Sequence, residues 1–331
     1  MSSAYDIVME NRRELVRKVI DMMKQGYFFN APEWDRAMLC PQNPLSKVRY
    51  RGGNRLRLMH TVVEKGYTDP RWATLNQYRK KGYYPKKGEQ GILCEKWIFT
   101  KEETIINENL EKEKVIVELE RPQVSYFKVF NAQQIQDFPE YREKRSSSKV
   151  EKIIDEMILS SECPVYELAQ NRSYYSPVKD QIVLPFRETF KDMESFGKVV
   201  FHEMGHSTGH PSRLNRKMGG FFGSPDYAAE ELRAELGALF IESDLNVQLK
   251  TENYQDHSDY LKSWMEELEA DPNELFRACA DAEKIAEYLV GNYEKKYQIS
   301  RIAQEEIPDR KEIHKKEKNI IVRCSAAWLR A

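Results

Sequence analysis

The sequence predicts an α+β protein with two domains, a small α+β domain followed by a mostly helical domain that contains a small β-sheet. The chain has 331 residues, whereas an average domain has roughly 150. Its composition, 40% hydrophobic and 11% aromatic, can fill ordinary cores. A polar, serine-rich stretch, YREKRSSSKVEK at 141–152, is typical of a linker. We therefore expect domains at 1–145 and 146–300, followed by a C-terminal extension at 301–331.

The elements of the first domain follow from apolar spacing and turn residues. An amphipathic helix is expected first, because apolar residues recur at positions 7, 8, 15, 16, 19, 20, 22 and 23 before Gly26. A Gly-Gly turn precedes a second helix at about 54–65. The Glu-rich stretch 101–120 predicts a solvated hairpin or loop, and VSYFKVF at 124–130 predicts a strand.

The second domain is expected to place a strand directly before two helices. YYSPVKDQIVLPF at 174–186 predicts the strand. The first helix contains residues 198–206 and ends near Gly209 and Pro211. The second helix begins after Ser224 as its N-cap, has Pro225 at its first position and runs to about residue 245.

Several protein classes are excluded. No stretch approaches the ~18 to 20 consecutive apolar residues that span a membrane, and the N-terminus lacks the basic-then-apolar layout of a signal peptide. We therefore expect a soluble, cytoplasmic protein without a membrane partner. The five cysteines are odd in number and scattered, and no two form a CxxC pair. This pattern argues against a disulfide framework and against a thiolate zinc cluster.

Positive charge is concentrated in one part of the first domain. The formal net charge of the chain is -1, but residues 41–98 hold 13 Lys and Arg against four Asp and Glu. Tyrosines lie among these cations, which favours single-stranded nucleic-acid binding, because bases stack on aromatic rings while cations follow the phosphates. The alternative is an ordinary solvated surface over a small core that contains the tyrosines. The candidate contact residues are Arg49, Arg51, Asn54, Arg55, Arg71, Trp72, Gln77, Lys80, Lys81, Lys86 and Lys87.

Residues 202–206, His-Glu-Met-Gly-His, match a metal-binding motif. Residues four apart share one face of a helix, about 6 Å apart along its axis, so His202 and His206 can hold one zinc ion. Glu203 would lie beside the open metal position, where it can accept a proton from water. The alternative is an ordinary amphipathic helix whose polar residues have other partners.

The helix after Ser224 supplies the candidate third ligand. Glu231 and Glu235 lie one turn apart beside an apolar stripe. Like charges at this spacing repel each other, and a cation or an imidazolium partner would remove the penalty. We expect Glu231 to be the third protein ligand and Glu235 to accept a hydrogen bond from the outer nitrogen of a ligand histidine. Glu230 is a rival ligand, and a solvated acidic edge is the alternative.

Three further residues are candidates near this centre. His210 would lie about 12 Å from His202 on a straight helix, so it cannot join the same coordination sphere. A structural, hydrogen-bonding or substrate-side role is expected for it. Tyr174 and Asp180 belong to the predicted strand, where zinc peptidases with this motif place an edge that pairs with extended substrate.

Several separate motifs resemble the ArdC antirestriction family, which mobile elements encode. HEMGHSTGHPSRLNR at 202–216, followed by YAAEELRAELGALF at 227–240, is similar to the zincin-like metallopeptidase domain of that family. The first half resembles its single-stranded-DNA-binding domain. The segments that carry this second resemblance stand in the order the family shows, NPLSKVRYRGGN at 43–54, GYTDPRWATLNQ at 66–77, KKGEQG at 86–91 and VFNAQQ at 129–134.

The resemblance covers about residues 5–290 and implies roles for individual residues. It implies that His202, His206 and Glu231 are metal ligands and that Glu203 is the general base, and Arg213 also matches the family pattern. The implied cofactor is zinc, with manganese as the alternative. The implied partners are single-stranded DNA and a peptide or protein substrate, for which a component of a host restriction system is the candidate.

Two functions are therefore compared. The favoured one is a single-stranded-DNA-binding antirestriction protein of a mobile element, with a minimal zinc peptidase that hydrolyses a peptide bond. The alternative is a non-catalytic DNA-binding accessory protein whose metal site is structural or regulatory. The sequence departs from the family at Gly53, where a larger apolar residue is expected, and at Ser207, where a tryptophan is usual.

Overall fold

The computed structural model describes residues 2–25, 40–106, 111–141, 150–219, 224–247, 249 and 258–299. These residues form eight α-helices and two three-stranded sheets, one sheet in each half of the chain. The two-domain α+β fold class is therefore confirmed. The expected boundary near 145 and the extension at 301–331 lie outside the described residues. Among the described residues, no helix combines the length and the apolar character that crossing a membrane requires.

The first half combines three helices with one antiparallel sheet. Its elements are α1 (Ala4–Lys24), α2 (Gly52–Lys65), β1 (Trp72–Thr74), α3 (Leu75–Lys80), β2 (Ile92–Ile106) and β3 (Lys112–Asn131). A capping box between Ser3 and Asp6 starts α1, and Gly66, at φ +66°, ends α2. The strand order is β1-β3-β2. The outer parts of β2 and β3 form an exposed hairpin, which confirms the prediction for 101–120.

The second half combines five helices with a mixed sheet. Its elements are α4 (Val150–Ser160), β4 (Val165–Leu168), β5 (Tyr174–Ser176), β6 (Gln181–Pro185), α5 (Met193–Ser207), α6 (Pro225–Leu245), α7 (Ser258–Ala270) and α8 (Asn273–Tyr297). Strand β6 lies between β4, which is parallel to it, and β5, which is antiparallel. The single strand predicted at 174–186 is therefore wrong. A turn through Asp180, at φ +46°, reverses the chain and makes two strands.

Helices α5 and α6 pack closely beside the His-Glu-x-x-His motif. Ser224 caps α6 by accepting a hydrogen bond from the Tyr227 N–H, and Pro225 takes the first position, as predicted. Gly205 of α5 faces Ala234 of α6, whose Cα lies 3.4 Å from where a Cβ of Gly205 would stand. This contact brings Glu231, one turn earlier on α6, toward the motif histidines.

One apolar core joins the two halves. Leu56 of α2 belongs to the same buried cluster as Leu236 of α6 and Ile285 of α8. The start of α2 lies so close to α8 that a Cβ at Gly53 would come within 2.2 Å of the Phe276 ring. The packing of α2 on α8 therefore explains the glycine at this position. Because the core is shared, experiments on this protein need the full chain.

Candidate metal centre

Helix α5 presents the two motif histidines toward α6. Asp192 caps the helix by accepting a hydrogen bond from the Ser195 N–H. The Nε2 atoms of His202 and His206 lie 3.0 Å apart. Both face Glu231, whose carboxylate oxygens lie 3.3 Å from Nε2 of His202 and 3.5 Å from Nε2 of His206. Three donor atoms thus converge on one point between the two helices.

The chemistry of these donors fits a divalent cation. Two unprotonated imidazole nitrogens at 3.0 Å repel each other, since each directs a lone pair at the other. A tetrahedral ion with bonds of ~2.0 to 2.1 Å separates its ligand atoms by roughly 3.3 Å, close to the observed spacings. Two imidazoles, one carboxylate and a position left for water form a known donor set of catalytic zinc sites. His202, His206 and Glu231 are therefore suited to hold the ion.

The carboxylates around the histidines favour positive charge at this point. Burial by itself would lower the pKa of His206, but hydrogen bonds to Glu230 and Glu231 reverse the effect and raise that pKa to about 9. Burial would also lower the pKa of His202, but Glu231 and Glu235 outweigh burial and raise that pKa well above its usual value. Burial also favours the neutral form of Glu231, yet its hydrogen bonds to both histidines lower its pKa below the usual range. The centre therefore attracts cations, either protons or a metal ion.

The outer nitrogens of the histidines face two other carboxylates. Nδ1 of His202 lies 3.2 Å from Glu235, at ion-pair distance but outside the alignment of a good hydrogen bond. Nδ1 of His206 lies 3.4 Å from Glu230. Glu235 thus lies beside the outer nitrogen of His202, but without the well-aligned hydrogen bond that the sequence predicts. The rival ligand Glu230 faces the outer side of His206, whereas Glu231 faces both inner nitrogens.

Glu203 is buried against the second sheet. It is 7% exposed, and this burial raises its pKa. The backbone of Tyr175 in β5 lies near its carboxylate and lowers its pKa, against the larger effect of burial. Since β5 is an edge of the β4-β6-β5 sheet, the predicted proton acceptor lies directly beside a strand edge.

The other residues predicted near the centre do not take part in it. Arg213 and Asp180 form an ion pair beside it, which we call the brace. Arg213 donates hydrogen bonds to the Ser207 carbonyl, at 2.7 Å, and to Asp180. It thereby ties the end of α5 to the turn between β5 and β6. His210 lies beyond the end of α5, with Nδ1 at 2.8 Å from the Ser212 hydroxyl, and Tyr174 is exposed. The structure does not bring His210 or Tyr174 to the three donor atoms.

In the basic segment, Arg55, Arg71 and Trp72 lie inside the protein, which corrects the expectation that they contact DNA. The Arg55 side chain is 1% exposed and donates to Asp244 at 2.8 Å. Arg71 donates to Asp69, and Trp72 is fully buried in the core. Side chains held in this way cannot reach a phosphate without breaking buried contacts.

Four other candidates are also held by the protein. Arg49 and Arg51 form ion pairs with carboxylates of α6 and α8, while Asn54 and Gln77 form hydrogen bonds within the first half. Arg51 is the most open of the four, with 65% of its side chain exposed. Its partner Glu287 is also solvent-exposed, so a phosphate can compete for Arg51 at small cost.

The remaining candidates form the lysine patch, which consists of Lys80, Lys81, Lys86 and Lys87. They lie at the end of α3 and in the turns that follow, and all four are exposed or half-buried. Tyr84, between them in the chain, is 51% exposed. Tyr78 and Tyr83, by contrast, are buried in a small core beside β1. The structure thus separates tyrosines that the sequence could not distinguish.

Comparison with family models divides the chain in the same order as the fold. Residues 9–130 match the model of the N-terminal domain of the anti-restriction factor ArdC. Residues 152–281 match a model of a zincin-like metallopeptidase.

Two relatives among known proteins show how much of the chain these similarities cover. DNA primase TraC of Escherichia coli is 33% identical over 297 residues, which is 86% of this chain and 27% of the relative. The chain thus spans about a quarter of that protein. The uncharacterized protein y4eC of Sinorhizobium fredii (strain NBRC 101917 / NGR234) is 30% identical over 255 residues, which is 76% of this chain and 81% of the relative.

Two crystal structures of the antirestriction protein ArdC from plasmid R388 share the fold. The metal-free form is 27% identical, with a TM-score of 0.66, over 88% of this chain and 99% of the relative. The Mn(II)-bound form is 28% identical, with the same TM-score, over 85% and 97% of the two chains. The zincin-like domain and the metal-bound relative both indicate a divalent metal for the cluster of His202, His206 and Glu231.

Proposed function

The chain belongs to the family of ArdC-like antirestriction proteins, and from this premise we propose that it joins single-stranded-DNA binding to a metal-dependent peptidase centre. The observation that carries the enzymatic part is the convergence of three donor atoms from His202, His206 and Glu231, with Glu203 next in the chain. Zinc is the proposed ion. Manganese is the alternative, because a related structure holds Mn(II).

The residues of the centre have two tasks in peptide-bond hydrolysis, which are to hold the ion and to transfer a proton. His202, His206 and Glu231 would hold the ion, which would act as a Lewis acid and lower the pKa of water. The Glu203 carboxylate accepts a proton from water and delivers it to the leaving amine. The backbone of Tyr175 in β5 lies near the Glu203 carboxylate and favours its ionised form.

The proposed substrate is a peptide or protein, and the family suggests a component of a host restriction system. Among the described residues β5 is an edge strand of its sheet and lies near Glu203, so an extended peptide can add to it as a further strand. We assign no priming reaction to this chain, because it spans 27% of the primase relative.

Glu203→Gln tests the peptidase proposal. Wild-type and variant chains, loaded with Zn(II) or with Mn(II), are incubated with casein, and new peptide termini are counted by mass spectrometry. The variant is expected to lose at least ~100-fold in rate, because proton transfer is removed, while its metal content is unchanged. Cleavage at the wild-type rate by the variant contradicts the role of Glu203. A wild-type chain that holds stoichiometric metal without cleaving favours the structural or regulatory alternative.

The DNA-binding proposal rests on the lysine patch and Tyr84. Exposed cations neutralise phosphates, and an exposed aromatic ring can stack on a base of any sequence. Both kinds of side chain lie within one short surface segment, from the end of α3 to the turn before β2. Binding should therefore prefer single strands, whose bases are free to stack, over duplexes.

The double substitution Lys86→Gln/Lys87→Gln in the full chain tests the patch. The matched control is Lys114→Gln/Lys152→Gln, whose lysine side chains are 70% and 67% exposed and lie elsewhere. Fluorescence anisotropy with a labelled single strand and its duplex is measured at several salt concentrations. The patch variant is expected to lower the salt slope for the single strand by about 1.4, since each phosphate contact contributes about 0.7. Equal slopes for patch variant and control would exclude the patch.

A further inference from the structure

Each motif histidine is backed by a carboxylate that is itself held by a buried cation. On one side, Arg216 lies in the turn region after α5 and grips Glu230 with two nitrogens. Its Nε donates to Oε2 at 3.1 Å and its Nη2 donates to Oε1 at 2.6 Å. The same Oε1 lies 3.4 Å from Nδ1 of His206. The guanidinium of Arg216, the carboxylate of Glu230 and the imidazole of His206 therefore form one continuous chain of contacts.

On the other side, Lys198 of α5 takes the place of the arginine. Its Nζ lies 3.8 Å from Oε2 of Glu235, whose Oε1 lies 3.2 Å from Nδ1 of His202. Lys198 is shared, because its shorter contact, at 2.8 Å, is with the fully buried Glu242. The contact between Lys198 and Glu235 is therefore longer than the contacts between Arg216 and Glu230. Lys198 is also shared between two carboxylates.

These contacts at Nδ1 determine whether Nε2 of each histidine presents a lone pair to a metal ion. A carboxylate that faces Nδ1 favours the proton on that nitrogen, so the lone pair of Nε2 points inward. The carboxylate can do so only while it stays in place, and at His202 its alignment is poorer than that of a good hydrogen bond. Glu230 and Glu235 are both about nine-tenths buried, where an unpaired carboxylate would be costly. The cations remove that cost and fix the direction of each carboxylate.

Arg216 also ties this arrangement to the end of the motif helix. Its Nη2 donates to the Gly205 carbonyl at 2.9 Å, and its Nη1 donates to the Thr208 hydroxyl at 2.6 Å. Both acceptors flank His206 in the chain. The guanidinium therefore sets the orientation of Glu230 relative to the backbone that carries His206, which a flexible lysine at 3.8 Å cannot do as strictly.

We propose that Arg216 and Lys198 are positioning residues for the metal ion, acting through Glu230 and Glu235, and that Arg216 has the larger effect. The inference rests on the proposed metal centre and extends it to two cations outside the His-Glu-x-x-His motif. Loss of either cation releases a buried carboxylate, and a released Glu230 becomes free to compete with its neighbour Glu231. The consequence is weaker binding of the ion by ligands that are themselves unchanged.

Arg216→Gln, Lys198→Gln and Arg216→Lys test this proposal. The matched control is Arg233→Gln, because Arg233 lies on α6, is 15% exposed and pairs with Glu274 and Asp281 of α8, away from the histidines. The dissociation constants of Mn(II) alone and of Zn(II) alone are measured by competition with a chelator. The Mn(II) EPR spectrum reports changes at the ion, and urea unfolding reports stability.

Arg216→Gln is expected to weaken the binding of both metals by about 10-fold, the lower end of the range for direct partners of a ligand histidine, because Arg216 acts through Glu230. Lys198→Gln is expected to weaken metal binding by less than about 10-fold, and Arg216→Lys should recover part of the Arg216→Gln loss. Arg233→Gln should bind metal as the wild type does while losing stability. If Arg216→Gln does not fold, Arg216→Lys with an altered EPR spectrum and weaker binding still supports the proposal. Wild-type affinity in all Arg216 and Lys198 variants overturns it, whereas absence of stoichiometric metal in the wild type overturns the metal centre itself.

Discussion

Two groups of buried charged side chains differ in how their charges are balanced. Where α2 meets α6 and α8, Arg55 contacts Asp244 and Glu283, and Arg49 contacts the same aspartate. The guanidinium of Arg55 also lies over the ring of Phe240, 4.2 Å from its centroid. Two cations thus face two anions, and their polar groups are directed at one another. We call this group of Arg49, Arg55, Asp244 and Glu283 the arginine cluster.

Between α5 and α6, by contrast, carboxylates outnumber the lysine and arginine side chains that face them. Arg216 pairs with Glu230 and Lys198 pairs with Glu235, but Glu231 contacts the two histidines instead of a lysine or arginine in the described part of the chain. The inner donor atoms therefore point at a shared space. The comparison indicates that a balanced cluster holds two surfaces together, whereas an excess of converging donors marks a place for a ligand.

The largest expected effect follows from breaking the arginine cluster. Arg55→Met should lower the free energy of unfolding by about 3 kcal/mol, because it leaves buried Asp244 and Glu283 with one cation fewer. Urea unfolding of the full chain measures the change. Lys86→Met, at an exposed position, should stay within about 0.5 kcal/mol of the wild type.

The same variant also tests whether the two clusters are independent. Metal affinity of the folded Arg55→Met chain is expected to equal that of the wild type, since Arg55 contacts the far end of α6 from Glu231. A stability loss below about 1 kcal/mol would show that the cluster is not structural. A large loss of metal affinity in the folded variant would show that the clusters are coupled.

Arg55→Met should lower stability and leave metal binding unchanged, whereas removing a metal-donor side chain should above all weaken metal binding. His202→Ala is expected to weaken Zn(II) or Mn(II) binding by at least ~100-fold, more than the loss of an outer partner costs. Metal should raise the midpoint of thermal unfolding in the wild type, because it binds the folded state, and this shift should disappear in the variant. The control is His210→Ala, since His210 lies outside the converging donors. Unchanged stoichiometric metal in His202→Ala would contradict the ligand assignment.

More of the metal centre than of the basic segment could be predicted from the sequence, because helical geometry depends only on residues that are close in the chain. Residues four apart on a helix share a face, so His202 and His206 needed only the helix that carries them. The sequence favoured Glu231 but left Glu230 as a rival, because the rotation of α6 depends on packing at Gly205 and elsewhere. Arg216 reaches back from an irregular segment, and no spacing rule predicts such a contact.

The basic segment shows the opposite limit. Composition reports how many cations a segment holds but not which of them meet carboxylates far away in the sequence. Arg55 and Asp244 are 189 residues apart, and nothing near either one indicates the pairing. Lys86 has the same charge as Arg55 and lies nearby in the chain, yet it is exposed. A prediction of DNA contacts from charge therefore needed the tertiary structure to separate these cases.

The smallest expected effect concerns Asp180. Its ion pair with Arg213 is balanced in charge, as the arginine cluster is, but it is partly exposed. Its hydrogen bond with Arg213 lowers the pKa of Asp180 from 3.8 to about 2. A lowered pKa in the folded state means that the pair stabilises the fold above about pH 4 and that this stability is lost as the pH falls toward 2. The side chain is 31% exposed, so the expected size is at most about 1 kcal/mol.

Urea unfolding of the wild type and Asp180→Asn, measured from pH 7 down to pH 2.5, checks this pH dependence. The stability advantage of the wild type should be constant above about pH 4 and should shrink below it, because the unfolded chain then binds a proton at Asp180 while the folded chain still holds it ionised. With Arg213→Gln in both chains, the advantage should be smaller at every pH, since the main cause of the lowered pKa is gone. An advantage that persists unchanged to pH 2.5 would mean that the aspartate acts through packing, and the brace between α5 and the β5–β6 turn would then not depend on charge.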